Sequence, residues 1–243
     1  SHYCNYLVEH YPNTKVVCLD ILDYNSSLKN LEPSKDKPNF EFVQGSINNR
    51  EFMVYLLKSY EIDTILNFAA QMHVDDTFGN SLEFTKVNVL GTHVLLEAAK
   101  ECGIKRFIQM STDEVYGVVD EKSQQQEEIL TPTNPYGCAK AAAEFMCQAF
   151  VRSFHMPIIT VRSSTIFGPH QFPEKLVPKF IIRLLTGKKC CVHGNGDSHR
   201  NFIYIDDFVS GFDTILRRGE PFKTYNISTD NDFTVVDVTN KII

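Results

Sequence analysis

Two adjacent carboxylic acids, Asp113 and Glu114, lie in residues 111–117, directly after an apolar segment that is typical of a buried strand. Like charges held close together push one pKa upward, so one carboxyl group can stay protonated while its neighbour is ionised. Such a pair can supply an acid and a base to the same reaction. Ser, Thr and Asp also favour helix caps and turns. We favour the acid–base interpretation because further reactive residues follow in the sequence.

Tyr136 and Lys140 are four residues apart in a segment predicted to be helical, so their side chains share one helix face. An ammonium group beside a phenol stabilises the phenolate and lowers the tyrosine pKa from about 10, which makes the tyrosine a usable general base. Lysine can also hold a ribose hydroxyl. The spacing alone is a weak signal, since Tyr11 and Lys15 repeat it at the start of a strand. We therefore use the pair only together with the two preceding acids.

Short apolar segments alternate with helix-periodic segments along the first two thirds of the chain. The sequence predicts strands at residues 15–19, 40–43, 63–68, 106–110 and 158–161, and helices at residues 50–60, 81–102 and 135–155. This alternation predicts an α/β fold with a doubly wound parallel sheet, covered by helices on both faces. The rhythm loosens after Ser163, so we expect a first domain at residues 1–163 and a smaller lobe, interleaved with the last strands, at residues 164–243.

Asp20 ends the first predicted strand and has the residue type that marks a dinucleotide site. In doubly wound sheets, an acidic residue about 20 positions after a glycine-rich turn, at the end of the second strand, binds the ribose hydroxyls. Counting back places that turn and the first strand before residue 1, with residues 1–10 as the helix that follows. The Asp20 charge would repel a 2′-phosphate, which favours NAD over NADP. A surface turn is the alternative explanation.

The composition excludes several classes of protein. Of the 243 residues, 43% are hydrophobic and 22% are charged, which is typical of a folded globular chain. The formal net charge is -6 and basic residues form no cluster beyond two adjacent pairs, so we expect no nucleic-acid partner. The sequence contains neither an apolar stretch of about 18 residues nor the layout of a signal peptide. We therefore expect no membrane contact and a cytoplasmic location.

The cysteines are odd in number, seven in all, and show no C-x-x-C or C-x-x-H spacing. Most lie in apolar segments, so we expect reduced core residues rather than disulfides or metal ligands. Cys138 lies between Tyr136 and Lys140, and we expect it to be a small buried residue of the helix rather than a nucleophile. The sequence thus predicts no metal site.

A family resemblance emerges when these segments are taken together. The chain closely resembles the dTDP-glucose 4,6-dehydratases, extended short-chain dehydrogenases/reductases with a Rossmann-like sheet, at residues 63–75, 111–117, 134–140, 168–178 and 200–206. The resemblance extends over essentially the whole chain. Its most specific part is Thr-Asp-Glu at residues 112–114, because sugar-nucleotide epimerases and decarboxylases of the same superfamily do not usually carry both acids.

The resemblance implies a dehydratase with NAD as a recycled hydride carrier. Tyr136, helped by Lys140 and Thr112, would take the proton from the sugar O4 as C4 is oxidised. Glu114 would then remove the C5 proton, while Asp113 gives its proton to the departing C6 hydroxyl. The product would be a 4-keto-6-deoxy sugar nucleotide, so the enzyme would be a lyase.

The resemblance also implies which residues bind the ligands. Cofactor contacts are expected at Asp20, Ile47, Ala69, Ala70, Tyr136 and Lys140. Contacts with the nucleoside-diphosphate sugar are expected at Thr112, Lys175, His193, Arg200 and Asn226, with His193 near the base. A homodimer is expected through the helices at residues 81–102 and 135–155.

The chain departs from the family pattern at several positions. Ser46 stands where the family usually has an Asp that faces the adenine, and Thr165 and Ile166 replace the asparagines that usually contact substrate and cofactor. We also expect the glycine-rich turn upstream, and a downstream Arg-containing segment, to be needed for full binding. The alternatives are an epimerase or decarboxylase of the same superfamily, or a catalytically silent module that binds a dinucleotide or sugar nucleotide.

Overall fold

The structure is a computed structural model of the 243-residue chain, and it describes residues 1–72, 74–117, 129–192 and 194–243, without the side chains of residues 74–78. The helices are α1 (His2–His10), α2 (Arg50–Ser59), α3 (Val74–Phe84), α4 (Thr92–Glu101), α5 (Pro135–Phe154), α6 (Leu176–Leu185), α7 (Ile205–Arg218) and α8 (Val235–Ile242). The strands are β1 (Val16–Asp20), β2 (Phe40–Gln44), β3 (Thr64–Asn67), β4 (Arg106–Met110), β5 (Ile158–Ser163), β6 (Thr165–Phe167), β7 (His199–Tyr204), β8 (Thr224–Ile227) and β9 (Asp232–Thr234). Single turns of 3₁₀-helix lie at Leu28–Leu31 and Asp113–Tyr116, and a π-helical segment lies at Thr85–Gly91.

All strand pairs in the described parts of the chain except β7 with β9 are parallel, as the alternation of elements predicts. The main sheet has the order β3-β4-β5-β8 and is parallel throughout. Strands β1 and β2 pair in parallel, and β7 pairs in parallel with β6 and antiparallel with β9. All five predicted strands are present. Because parallel strands end at the same edge, the loops after β3, β4 and β5 lie next to one another.

Two hydrophobic cores cover opposite faces of the main sheet. Phe107 and Ile108 are neighbours in β4, point to opposite faces and are fully buried. One core joins Phe107 to α2, α4 and α5, and the other joins Ile108 to α1, α7 and β8. Burying one such side chain stabilises a fold by about 1.5–3 kcal/mol. Helices on both faces therefore explain the nearly continuous apolar strands.

The helical region around residue 81 differs from the prediction in its boundaries. The predicted helix 81–102 is divided into the end of α3, the π-helical segment and α4, and α3 begins earlier, at Val74. The backbone of Asn80 is non-helical, at φ -146° and ψ 57°. In the π-helical segment, buried Asn88 accepts a hydrogen bond from the Gln71 backbone N–H at 2.8 Å and donates one to the Gln71 carbonyl at 2.9 Å. This amide fixes the loop that follows β3.

Helix α5 begins with well-defined capping chemistry. Asn134 is the N-cap and its Oδ1 accepts a hydrogen bond from the backbone N–H of Gly137 at 2.8 Å. Pro135 follows at the first helical position, where its missing N–H costs nothing. The helix ends at Phe154, before His155 in a left-handed conformation at φ 53°.

The cysteines are all free thiols, but they are less buried than the sequence predicts. Only Cys147 is buried, and Cys138 and Cys191 are exposed. The expectation of a buried Cys138 is therefore wrong. Its helix face points away from the buried neighbours Gly137 and Ala139. No helix in the described parts of the chain has the length and apolarity that a membrane span requires.

Candidate active site

The loop after β4 carries the predicted acids on a single turn of 3₁₀-helix. Thr112 is the N-cap of this turn: its hydroxyl oxygen accepts from the Glu114 backbone N–H at 3.3 Å and its hydroxyl donates to Asp113 Oδ1 at 3.1 Å. Gly117 ends the turn at φ 74°, and a side chain there would collide with the Thr131 carbonyl. Thr112 therefore has a capping function as well as a position beside both acids.

Asp113 holds its proton more firmly than an exposed aspartate does. Burial raises the pKa of the Asp113 carboxyl group, and the nearby charge of Glu114 raises it further, although the hydrogen bond from Thr112 acts in the opposite direction. Glu114 has 19% of its side chain exposed and faces different partners, Asn134 and Arg200. The two acids thus have unlike environments, which is the condition for one acid and one base at the same site.

Tyr136 lies in the first turn of α5, near Thr112, and interaction with the Thr112 side chain acts to lower the pKa of Tyr136. Burial is the main reason that the pKa of Tyr136 is raised, and the charges of Glu114 and Asp113 act in the same direction. This differs from the lowered pKa that the Tyr-x-x-x-Lys spacing predicts. The physical reason is that removal from water and two nearby carboxylates both oppose a negative phenolate.

Lys140 is buried one turn further along α5, and its Nζ donates to the Met110 carbonyl at 2.7 Å. Burial lowers the pKa of Lys140 to about 8, although the charge of Glu144 acts in the opposite direction. A lysine with this pKa can exchange its proton near neutral pH. Residues 136, 140 and 144 are spaced by four, so Glu144 belongs to the same helix face.

A buried ion pair between Arg162 and Glu144 joins β5 to α5 next to the site. Arg162 of β5 donates to Glu144 from Nε at 3.1 and 3.2 Å and from Nη2 at 2.7 Å, with 7% and 1% of the two side chains exposed. Arg162 Nη1 also donates to the Tyr116 hydroxyl at 2.8 Å, and this hydroxyl donates to Asn226 Oδ1 at 2.8 Å. The network connects β5, α5, β8 and the end of the acidic turn.

Glu114 has different neighbours at its two oxygen atoms. Its Oε2 accepts a hydrogen bond from Asn134 Nδ2 at 2.6 Å. Its Oε1 lies 3.9 Å from Nη1 of Arg200, a half-exposed residue of β7. Arg200, expected to bind the substrate diphosphate, therefore lies at the acid pair. Two of the expected substrate residues thus lie next to the acidic turn: Arg200 is near Glu114, and Asn226 accepts the hydrogen bond from Tyr116.

The residues expected to hold NAD lie at the carboxyl ends of β1, β2 and β3. The carboxylate of Asp20 is held by the Leu22 backbone N–H at 2.7 Å and the Ser26 hydroxyl at 3.1 Å. Ile47 is buried after β2, Ala69 is exposed after β3, and Ala70 is half-buried beside it. A fixed carboxylate at the end of β1 fits a ribose diol, and the small side chains after β3 leave room for a ring.

Two buried hydroxyl groups at the same edge support this fit. Ser111 directly follows β4 and Ser164 directly follows β5, and their hydroxyl oxygens are buried without a hydrogen bond to any described residue. Buried polar groups are nearly always paired, so groups of this kind are suited to a polar ligand. Ser46, by contrast, accepts the backbone N–H of Asn48 at 3.2 Å and so stabilises its own turn.

Lys175 and His193 are not placed at the acid pair by the described contacts. Lys175 Nζ donates to the Met72 carbonyl at 3.1 Å, in the loop after β3. His193 and the acidic, Gln-rich stretch at residues 120–128 lie outside the described residues. The structure therefore brings together Thr112, Asp113, Glu114, Tyr136 and Arg200. Lys140 and Asn226 lie next to this group, since Lys140 contacts Met110 and Asn226 contacts Tyr116.

Comparison with known proteins agrees with this geometry. The sequence matches the family model described as GDP-mannose 4,6 dehydratase over residues 1–243. The chain belongs to this family. Among the relatives of this chain, the dTDP-D-glucose 4,6-dehydratase of Mus musculus is 47% identical over 243 residues. The match covers 100% of this chain and 68% of that protein. The resemblance seen in the sequence is thereby confirmed.

Other relatives of this family member are considerably longer. A trifunctional UDP-glucose 4,6-dehydratase/UDP-4-keto-6-deoxy-D-glucose 3,5-epimerase/UDP-4-keto-L-rhamnose-reductase of Arabidopsis thaliana is 51% identical over 246 residues. The match covers 100% of this chain and 37% of that protein. The chain thus spans a little more than a third of the length of this relative.

Solved structures of similar proteins share the fold of this chain. DesIV, a dTDP-glucose 4,6-dehydratase from Streptomyces venezuelae with NAD and TYD bound, has a TM-score of 0.93 and 31% identity, over 99% of this chain and 76% of that chain. The dTDP-glucose 4,6-dehydratase of Bacillus anthracis in complex with NAD has a TM-score of 0.91 and 34% identity, over 100% and 76%. The predicted α/β, Rossmann-like fold class is confirmed.

Several residues of the site escaped the sequence analysis. Glu144 continues the four-residue spacing of Tyr136 and Lys140, and a charged residue on that face is a usable signal. Arg162, alone within an apolar strand, signals a buried ion pair in the same way. Asn134 before Pro135 is a capping signal, but nothing in the sequence indicates its second contact, with Glu114.

Proposed function

We propose that the protein containing this chain removes water from a nucleoside-diphosphate hexose, dTDP-glucose or UDP-glucose, and releases the 4-keto-6-deoxy sugar nucleotide. The observation that carries this proposal is the grouping of Thr112, Asp113, Glu114 and Tyr136 at the carboxyl edge of the main sheet. A module that only binds a nucleotide needs neither a proton-retaining acid nor an accessible second acid beside it. Membership of the dehydratase family supports the same reaction.

The proposed reaction changes no net oxidation state in the sugar. When bound, NAD supplies hydride transfer, since it accepts the hydride from C4 and returns it to C6. Asp20, Ile47, Ala69 and Ala70 would contact it at the ends of β1, β2 and β3. Lys140 would hold a ribose hydroxyl from α5. The fixed carboxylate of Asp20 and the buried hydroxyls at this edge support the assignment.

Proton transfers are assigned to this chain's own residues. Tyr136 is assigned the proton of the O4 hydroxyl, with Thr112 near it. Because the pKa of Tyr136 is raised, this role requires the positive charge of Lys140, and that of the nicotinamide when NAD is bound, to offset burial and the two carboxylates. The resulting ketone at C4 acidifies the C5–H bond. Glu114 takes the C5 proton, and the electron pair of the C5–H bond forms C5=C6 as the C6–O bond breaks. Asp113 protonates the departing oxygen, which leaves as water, and its raised pKa suits this role. Glu114 would give its proton back to C5 as C6 receives the hydride, which completes the 4-keto-6-deoxy product.

Substrate binding is assigned to the side of the site near β7 and β8. Arg200 offers a planar fork for the diphosphate and Lys175 a point charge. The bond from Tyr116 to Asn226 Oδ1 turns the Asn226 amide nitrogen away from Tyr116, as a donor for the substrate. Thr112 contacts the sugar, and His193 is proposed to lie near the base. In this scheme residues 1–163 form the cofactor-binding domain and also supply the groups that react with the sugar, and residues 164–243 form the lobe that binds the nucleotide part of the substrate.

A homodimer and a cytoplasmic location complete the proposal. Leu82 is 80% exposed, Leu90 51% and Phe145 56%, and all three belong to the helices at residues 81–102 and 135–155. Packing these helices against those of a second copy would cover apolar side chains. Seven free cysteines suit a reducing compartment such as the cytoplasm. Light scattering that finds a monomer would contradict the dimer.

The reaction is tested with the complete protein, NAD and each of dTDP-glucose and UDP-glucose. We expect mass spectrometry to detect a product lighter by one water with at least one substrate. A product of unchanged mass would indicate epimerisation instead, and one lighter by carbon dioxide, from a uronic acid substrate, would indicate decarboxylation. Failure to convert either hexose would refute the proposal.

The roles of the acids are tested by substitution. Glu114→Gln should stop the reaction after C4 oxidation, so reduced cofactor accumulates and can be followed by its absorbance. Glu101→Gln is the matched control, because Glu101 makes surface ion pairs with Arg50 and Lys58, away from the acid pair. Full turnover by Glu114→Gln would remove Glu114 from the mechanism.

A further inference from the structure

Asn134 uses one amide group to make two hydrogen bonds to two different parts of the site. Its Oδ1 accepts the backbone N–H of Gly137 at 2.8 Å, which caps α5. Its Nδ2 donates to Glu114 Oε2 at 2.6 Å. Because the oxygen is engaged by the helix, the nitrogen must face the carboxylate. The helix cap therefore fixes the direction in which Asn134 donates.

We propose that Asn134 is a positioning residue for Glu114. Asn134 holds Oε2 of Glu114, so that Oε1 of Glu114 is the oxygen that takes the C5 proton. This inference rests on the dehydration proposed above. The contact is a charge-assisted hydrogen bond of short length, and such bonds are stronger and more directional than neutral ones. Oε1 remains on the side of Arg200, at 3.9 Å from Nη1, where the diphosphate is proposed to bind.

The backbone packing around Asn134 supports a fixed relation between α5 and Glu114. A Cβ atom on Gly137 would lie 2.8 Å from the Glu114 carbonyl oxygen, so the first helical turn touches the backbone of the acidic turn. The segment that leads into Asn134 is attached as well, because the Thr131 backbone N–H donates to the Val115 carbonyl at 3.0 Å. Glu114 is thus held to α5 through its backbone and its side chain.

The same helical turn carries Tyr136, two residues after Asn134. The proton acceptor for O4 and the acceptor for the C5 proton are therefore both positioned by residues 134–137. Displacing a reacting group by about 1 Å can cost roughly 100-fold in rate. Loss of the Asn134 donor should disturb Glu114 and leave Tyr136 in place, which separates the two half-reactions.

The first test replaces Asn134 by residues that still cap a helix. Ser and Asp are as good as Asn at an N-cap, but Ser is too short to reach Glu114 and Asp has no donor. For Asn134→Ser in the complete protein, we expect kcat to fall about 10- to 100-fold with KM within about twofold of wild type. Reduced cofactor should accumulate during turnover, and the isotope effect of C5-deuterated substrate on kcat should increase.

Asn134→Asp adds a second and independent measurement. It keeps the cap but places a negative charge against Glu114, so a proton is bound there more readily. The acidic limb of the kcat profile should move to higher pH, and further than in Asn134→Ser. Asn49 provides the matched control: it caps α2 through its own Oδ1, which accepts the Phe52 N–H at 3.0 Å, and has no part in the site. Asn49→Ser and Asn49→Asp should leave kcat and its pH profile unchanged.

The outcomes separate this inference from the proposed reaction. If the wild-type protein releases no dehydrated product, the reaction and the inference both fail. If the wild type is active and Asn134→Ser shows wild-type kcat, only the inference fails. A loss of kcat without accumulation of reduced cofactor would also overturn it, because a displaced helix slows the Tyr136 step as well. In a Glu114→Gln background, Asn134→Ser should have no further effect on the residual rate.

Discussion

Replacing Glu144 by Gln removes one charge from the buried ion pair beneath the site. In the wild type, three hydrogen bonds join Glu144 to the Arg162 guanidinium. The variant keeps the shape of the side chain but removes the negative charge of Glu144 that faces this guanidinium. Breaking a buried pair on one side costs about 3–5 kcal/mol. Because Gln still accepts a hydrogen bond, we expect the lower end, about 3 kcal/mol. For a domain of this size that lowers Tm by roughly 6–12 °C.

Thermal and urea unfolding of the complete protein, followed by circular dichroism, measures this loss. The matched control is Glu101→Gln, since Glu101 pairs with Arg50 and Lys58 at the surface. Exposed pairs contribute about 0–1 kcal/mol, so its Tm should change little. The double variant Glu144→Leu/Arg162→Met removes both charges and should cost less than the sum of the single changes.

The same substitution should alter the protonation of Lys140. The Glu144 charge acts against burial and supports the ammonium form, whose pKa is about 8. Without that charge the pKa of Lys140 should fall further, so the alkaline limb of the activity profile should move to lower pH. Equal stability of Glu144→Gln and wild type, or strict additivity in the double variant, would refute the reasoning about the pair.

Two further predictions concern α5 and its buried lysine. Gly137→Ala should destabilise the protein and lower activity, because the added Cβ would lie 2.8 Å from the Glu114 carbonyl oxygen. Gly211→Ala in α7 is the control and should be tolerated, because its Cβ would lie 3.5 Å from the nearest atom, in the Ile227 side chain. Comparable unfolding curves for the two variants would contradict this. Burial lowers the pKa of Lys140 from 10.5 to about 8, so the unfolded chain binds more protons between these values and stability should rise with pH across them. Lys140→Met should lose this rise in urea titrations, and its persistence would assign it to another group.

The central part of the fold could be predicted from the sequence because its strands are buried on both faces. An apolar run such as β4 or β5 is recognisable without knowledge of its neighbours. Strands β6, β7, β8 and β9 were not predicted individually. Their burial is partial, as in β8, where only Ile227 is buried, so their strand character depends on pairing with distant residues.

The proximity of the candidate site residues could be predicted from the sequence, but their pKa shifts could not. Thr112, Asp113 and Glu114 follow a strand, and Tyr136 opens a helix, so their approach at one sheet edge follows from the parallel topology. The direction of the Tyr136 pKa was wrong, because burial depends on how the surrounding chain packs. The contacts of Arg162 with Glu144 and Tyr116 escaped prediction for the same reason, since their partners are distant in sequence.

The amide of Asn88 has a consequence for how the nucleotide edge of the sheet can change. Both backbone polar groups of Gln71 are satisfied by this one side chain, in a place where a neighbouring strand would normally supply the partners. The loop that presents Ala69 and Ala70 is therefore anchored from a helix rather than from the sheet. If Ala69 and Ala70 contact NAD as proposed, we expect mutations around residue 88 to alter cofactor affinity while the strands keep their register.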